Sequence, residues 1–93
     1  MSKDDLRKLY ETILKLETIE ECEMFFDDLL TYKEQEAIAQ RLKSAELLLK
    51  NYTYDEVIKE VSISSATLSR VSRCIRQGKG YKTIIEKKIM LVY

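Results

Sequence analysis

The sequence predicts an all-α protein, and three observations carry that prediction. Proline is absent from all 93 residues. Apolar residues recur at steps of three and four, with little of the alternation a strand needs. Three Thr-x-x-Glu boxes punctuate the chain, at TIEE (18–21), TYKE (31–34) and TYDE (53–56). In such a box the hydroxyl accepts from an orphan N–H of the first turn and the carboxylate reaches back to the cap N–H. Each box therefore marks a helix start for a physical reason.

The elements follow in order. Leu6, Leu9, Tyr10, Ile13, Leu14 and Leu16 outline a first helix. TIEE opens a second, with Cys22, Phe25, Phe26, Leu29 and Leu30 on its apolar side. TYKE opens the longest, over roughly 32–50, with Ile38, Leu42, Ala45, Leu48 and Leu49 as its expected buried stripe. TYDE opens a short helix carrying Val57, Ile58 and Val61. A fifth helix is expected from about 65 to 77, stopped by Gly78 in the left-handed conformation glycine adopts past a helix end. Residues 80–93, with Tyr81, Ile84, Ile85, Ile89, Met90 and Val92, read as a sixth, and the closing IMLVY as a packing or dimer element. No repeat, low-complexity tract or long linker intervenes, so residues 1–93 are expected to form a single helical domain.

Composition narrows the function. With 45% apolar and 34% charged residues the chain can build a core, but one this short hides only about 60–65% of its unfolded surface, which favours a second subunit. No apolar run nears the roughly 18 residues of a membrane span, and no apolar stretch backs the opening MSKDDLRK, so neither membrane insertion nor a secretory signal is expected. Cys22 and Cys74 lack CxxC spacing and histidine is absent, which leaves no metal site and suits a reduced, cytoplasmic protein. Without histidine there is no Ser-His or Cys-His pair. Gly78 and Gly80 begin no phosphate-cradling loop. The expectation is a protein without cofactor or catalytic activity.

The net charge of zero conceals a division. Residues 1–37 hold eleven acids and five bases, a net of −6, and residues 38–93 balance them at +6. Over 62–88, Arg70, Arg73, Arg76, Lys79, Lys82, Lys87 and Lys88 face only Glu86. A basic segment on an acidic scaffold is the layout of a localised phosphate-contacting surface.

That surface coincides with the most informative stretch, TYDEVIKEVSISSATLSRV (53–71). A short helix, a tight turn at Ser62–Ser64, and a second helix that starts with small hydroxylic residues and continues into arginines make the pattern of a helix-turn-helix over about 53–77. Val57, Val61, Ile63, Leu68 and Val71 are expected to hold the helices together. Ser65, Ala66, Thr67 and Ser69 are small enough to let the second helix enter a major groove, and Arg70 and Arg73, three apart, share a face within reach of phosphates or guanine edges. Many such turns place glycine where Ser62 stands, so Ser62 is expected to tolerate a glycine-like geometry. The candidate DNA-binding residues are thus Ser65, Ala66, Thr67, Ser69, Arg70 and Arg73.

LLTYKEQEAIAQRLKSAELLLKN (29–51) followed by TYDEVIKEVSISSATLSR (53–70) resembles the Trp repressor family. The FFDDLLT and AQRL segments with SRVSRCI resemble most its YerC/YecD group. The likeness spans about residues 6–88. It implies a six-helix, intertwined homodimer, a bacterial transcriptional regulator, and two recognition helices presented to successive major grooves of double-stranded DNA. It also implies an effector pocket. Thr31, Arg41 and Arg70 fall at positions that contact tryptophan in the tryptophan repressor, whereas Val71 stands for a glycine and Cys74 for a serine beside that ligand. A valine fills space that glycine leaves open, and a thiol is a weaker hydrogen-bond partner than a hydroxyl. Tight tryptophan binding is therefore not expected: the site is empty, filled by Val71, or adapted to another small-molecule effector. Asp55 stands where that repressor has a basic residue facing DNA. Asp55 and the zero net charge motivate an alternative, a helical protein-interaction module that has lost DNA binding.

Overall fold

The computed structural model describes residues 2–90. They form six helices: α1 (Lys3–Ile13), α2 (Ile19–Leu29), α3 (Tyr32–Leu49), α4 (Tyr54–Glu60), α5 (Ser65–Gln77) and α6 (Lys82–Ile89), the last wound as a π-helix. Among the described residues there is no strand, and no helix is long and apolar enough to cross a membrane. Val92 and the rest of the expected C-terminal element beyond Met90 lie outside the described residues. The chain divides into two compact units, one ending at Gln35 and the other starting at Glu36, inside α3.

In the first unit each helix start is capped by a hydroxyl. Ser2 accepts from the Asp5 N–H at 3.1 Å, a cap outside the Thr-x-x-Glu pattern. Thr18 accepts from the Glu21 N–H at 3.0 Å, but the Glu21 carboxylate takes the N–H of Glu17 at 2.7 Å, one residue before the cap. Thr31 and Glu34 form the complete reciprocal box, at 3.1 and 2.8 Å. The Phe25 and Phe26 rings meet edge to face at 5.5 Å. The Gln35 amide donates to the Phe26 carbonyl at 3.3 Å and to Asp27 at 3.2 Å, which ties the start of α3 to the end of α2. No residue of α1 or α2 is fully buried.

The second unit has its core in two clusters. Leu47, Val57, Val61 and Leu68 form one, and Ala45, Val71 and Ile85 the other, with Leu48 packed against both. The stripe expected on α3 is corrected here. Ala45 is buried and Leu48 and Leu49 half-buried, but Ile38 and Leu42 are exposed, while Ser44 and Leu47 are buried. The buried residues of α3 all lie in its second half, from Ser44 to Leu47. Asn51, at φ 70°, ends α3: its N–H reaches the Leu48 carbonyl and that of Tyr52 the Leu47 carbonyl, both at 3.0 Å, a Schellman closure in which asparagine tolerates the left-handed region.

Gly78 is a second correction. It ends α5 in an extended conformation, φ −98° and ψ −177°, rather than a left-handed one. Glycine is required there by close approach: a Cβ would stand 2.7 Å from the Cys74 carbonyl oxygen, which accepts from the Gly78 N–H at 2.8 Å. In α6 the Met90 N–H bonds to the Ile85 carbonyl at 2.7 Å, a five-residue step. Tyr81, Ile85 and Met90, four and five apart, all join the second cluster, a spacing that suits the wider π turn.

Candidate nucleic-acid interface

The sequence 53–77 folds as two helices joined by a tight turn. Thr53 caps α4 with a complete box, accepting from the Glu56 N–H at 3.2 Å while the Glu56 carboxylate accepts from the Thr53 N–H at 2.8 Å. The Val61 N–H closes the helix on the Val57 carbonyl at 2.8 Å. The Ile63 N–H then reaches the Val61 carbonyl at 2.7 Å, a three-residue turn centred on Ser62. Among the described residues Asn51 is the one non-glycine with positive φ, so Ser62 makes an inverse γ-turn that any L-residue adopts. The expectation of a glycine-like geometry at Ser62 is thereby corrected.

Ser64 caps α5. Its hydroxyl accepts from the Thr67 N–H at 3.1 Å and donates to Thr67 Oγ1 at 2.9 Å. Val57, Val61 and Leu68 pack in one cluster with Ile63 against it, as expected of the residues joining the helices. Val71, expected among them, instead belongs to the second cluster with Ala45 and Ile85. Both clusters anchor α5 along one side, through Leu68, Val71 and Ser72.

The opposite side of α5 is free. Ser65, Ala66, Ser69, Arg70 and Arg73 are exposed, and Thr67 is half-buried with its hydroxyl engaged by Ser64. At about 100° per residue, Ala66, Arg70 and Arg73 stand across the helix axis from Leu68, and Ser69 stands at the edge of that face. Gln77, exposed and four residues past Arg73, continues that face. Gln77 carries no charge, and its register with Arg73 is the sequence signal that marks it.

The first turns of α1, α2, α3 and α4 each carry an acid, and those of α5 and α6 carry none. The positive end of α5 is thus uncompensated. The ion pairs among the described residues are Arg7 with Glu11 at 3.9 Å and Lys50 with Glu46 at 3.1 Å, so Arg70, Arg73, Lys79, Lys82, Lys87 and Lys88 are paired with no carboxylate there. Arg76 is turned back, its Nη1 donating to Ser72 Oγ at 2.6 Å.

The effector positions sit as follows. Thr31, in the first unit, is occupied in capping α3. In the second unit Arg41 and Arg70 are exposed and Val71 is buried among core side chains. Cys74 lines an open apolar hollow of about 530 Å³ with Leu42, Gly78, Gly80, Tyr81, Ile84 and Ile85. Arg41, Arg70 and Val71 are not part of that lining.

Comparison with known proteins agrees with this arrangement. A family model described as Trp repressor protein matches residues 4–89. The chain is 45% identical over 74 residues to the uncharacterized protein YerC of Bacillus subtilis (strain 168), a match covering 80% of this chain and 71% of that protein. A crystal structure of a candidate Trp repressor from Staphylococcus aureus superposes with a TM-score of 0.89 at 38% identity, over 99% of this chain and 91% of that one. A TrpR-like protein from Eubacterium eligens ATCC 27750 superposes at 0.90 with 29% identity, over 99% and 95%.

Proposed function

The chain belongs to the Trp repressor protein family, with YerC among its relatives, and from that premise we propose that it is a sequence-specific DNA-binding transcriptional regulator. The observation that carries the reading is the exposed face of α5, where Ala66, Ser69, Arg70 and Arg73 follow an uncompensated helix start at exposed Ser65 and both arginines lack a carboxylate partner among the described residues. Such a face supplies cations for phosphates and guanine edges and small residues for close approach to a groove. The helix-turn-helix of residues 53–77 works as part of a single helical domain in the cytoplasm of a bacterium, without a catalytic step.

The regulator acts as a homodimer. Support comes from the first unit, whose helices α1 and α2 bury no side chain fully, and from the exposed Ile38, Leu42, Ile84 and Ile89 of the second. Two copies present two recognition helices to half-sites about one DNA turn apart. A small-molecule effector, if one acts here, is not tryptophan: Val71 occupies core space and Cys74 faces an apolar hollow without a charged lining residue.

The test is genome-wide selection of bound fragments by the purified protein, with and without tryptophan, at two salt concentrations. A two-fold motif that weakens steeply with salt and ignores tryptophan is expected. Arg70→Ala and Arg73→Ala should each cost about 1–3 kcal/mol of binding. Weak, sequence-blind binding unaffected by either substitution overturns the reading in favour of a protein-interaction module.

A further inference from the structure

The two helices of the candidate interface differ sharply in charge. The segment Tyr54–Glu60 has three acids and one base, whereas Ser65–Gln77 has three arginines and no acid. The three acids of α4 are not equivalent. Glu56 is committed to the Thr53 N–H at 2.8 Å, and Glu60 lines a shallow groove with Glu36, Lys43 and Ser62. Asp55 is exposed and has no ion-pair partner among the described residues. Val57, fully buried, fixes which side of α4 faces the core. At about 100° per residue, Asp55 and Lys59, four apart, then share the outward side.

In a helix-turn-helix the first helix crosses the phosphate backbone while the second enters the groove. Phosphate contacts supply nearly all sequence-independent affinity, so an acid on the outward side of the first helix opposes binding to any duplex and offsets the nearby Lys59. We propose that Asp55 limits the phosphate affinity of α4 and so keeps sequence-independent DNA binding weak, an inference that rests on the DNA-binding reading above. A duplex that gives α5 no base contacts is then released at physiological salt.

The experiment measures the affinity of the full chain for a random-sequence duplex and for the selected motif, across a range of salt from about 50 to 200 mM. Asp55→Asn is expected to tighten binding to the random duplex by about three- to tenfold at the low end and to steepen the salt slope by about one, as Lys59 engages a phosphate. Adding Lys59→Ala to Asp55→Asn should return the slope to its starting value. Asp4→Asn, the same change of charge in the first unit, should alter neither quantity. The inference is overturned if Asp55→Asn binds like the unaltered protein while Arg73→Ala weakens binding, or if Asp4→Asn reproduces the gain. Should the unaltered protein show no salt-dependent binding and Arg73→Ala change nothing, the regulator reading falls first and this inference with it.

Discussion

Among the described residues, Ser44 is the buried side chain whose polarity its surroundings do not use. It is fully buried in α3, and its hydroxyl finds no hydrogen-bond partner among the described residues. Leaving a buried hydroxyl unsatisfied costs about 1–3 kcal/mol, so Ser44→Ala is expected to raise stability by about 1 kcal/mol, read from the urea midpoint. Gly78 behaves oppositely. With a Cβ placed 2.7 Å from the Cys74 carbonyl, Gly78→Ala forces the end of α5 to move and should destabilise by about 1–3 kcal/mol. The two glycine expectations at this scale, left-handed Gly78 and a glycine-like Ser62, came from average turn chemistry. Backbone proximity decided the first and an inverse γ-turn the second. Neither is encoded in residue type, because both depend on where a carbonyl stands after the chain has folded.

At the scale of elements, the capping hydroxyls carry the fold. Ser64→Ala should cost about 1 kcal/mol of stability and weaken DNA binding severalfold, since the first turn of α5 holds Ser65, Ala66 and Thr67 in place. The Thr31–Glu34 box adds a pH dependence. The Thr31 N–H donates to the Glu34 carboxylate at 2.8 Å, with a further contribution from the Thr31 side chain, and together they hold its pKa below the ordinary 4.5. A depressed carboxylate stabilises the folded state above its unfolded pKa, and that stabilisation disappears as pH falls through the lower, folded value. Acid titration of helical circular dichroism should therefore show a loss below 4.5 that Glu34→Gln diminishes. Helix starts were legible because a hydroxyl and a carboxylate three residues apart act locally. TIEE kept its hydroxyl half and shifted its carboxylate to Glu17, since a flexible glutamate has two adjacent N–H groups within reach.

Across the whole molecule, the unused apolar surface matters most. Leu14 is 83% exposed, Ile19 74% and Ile89 52%, too much for an isolated chain of this size to leave in water without consequence. In the proposed homodimer a second copy covers such side chains. Ile84→Glu, placed on the rim of the apolar hollow beside Leu42, is expected to shift the protein from dimer to monomer in sedimentation equilibrium at micromolar concentration, with helical content largely kept. An unchanged mass would remove the hollow from the dimer interface. The charge division belongs to this scale too, since eleven acids before residue 38 keep the excess of cations on the part that includes α5 and α6.

The all-α class, the helix starts at Thr18, Thr31 and Thr53, the span of α5 and the family are legible in the order of residues alone. These follow from periodicity, capping chemistry and short motifs, all of which act over a few neighbouring residues. Long-range packing set the rest: which side of α3 is covered, that Val71 packs with Ala45 and Ile85, that Cys74 opens on an apolar hollow, and that α6 widens so that Tyr81, Ile85 and Met90 line up. Those outcomes depend on which distant residues arrive to pack, and burial is a property of the assembled surface, with no counterpart in the order of residues along the chain.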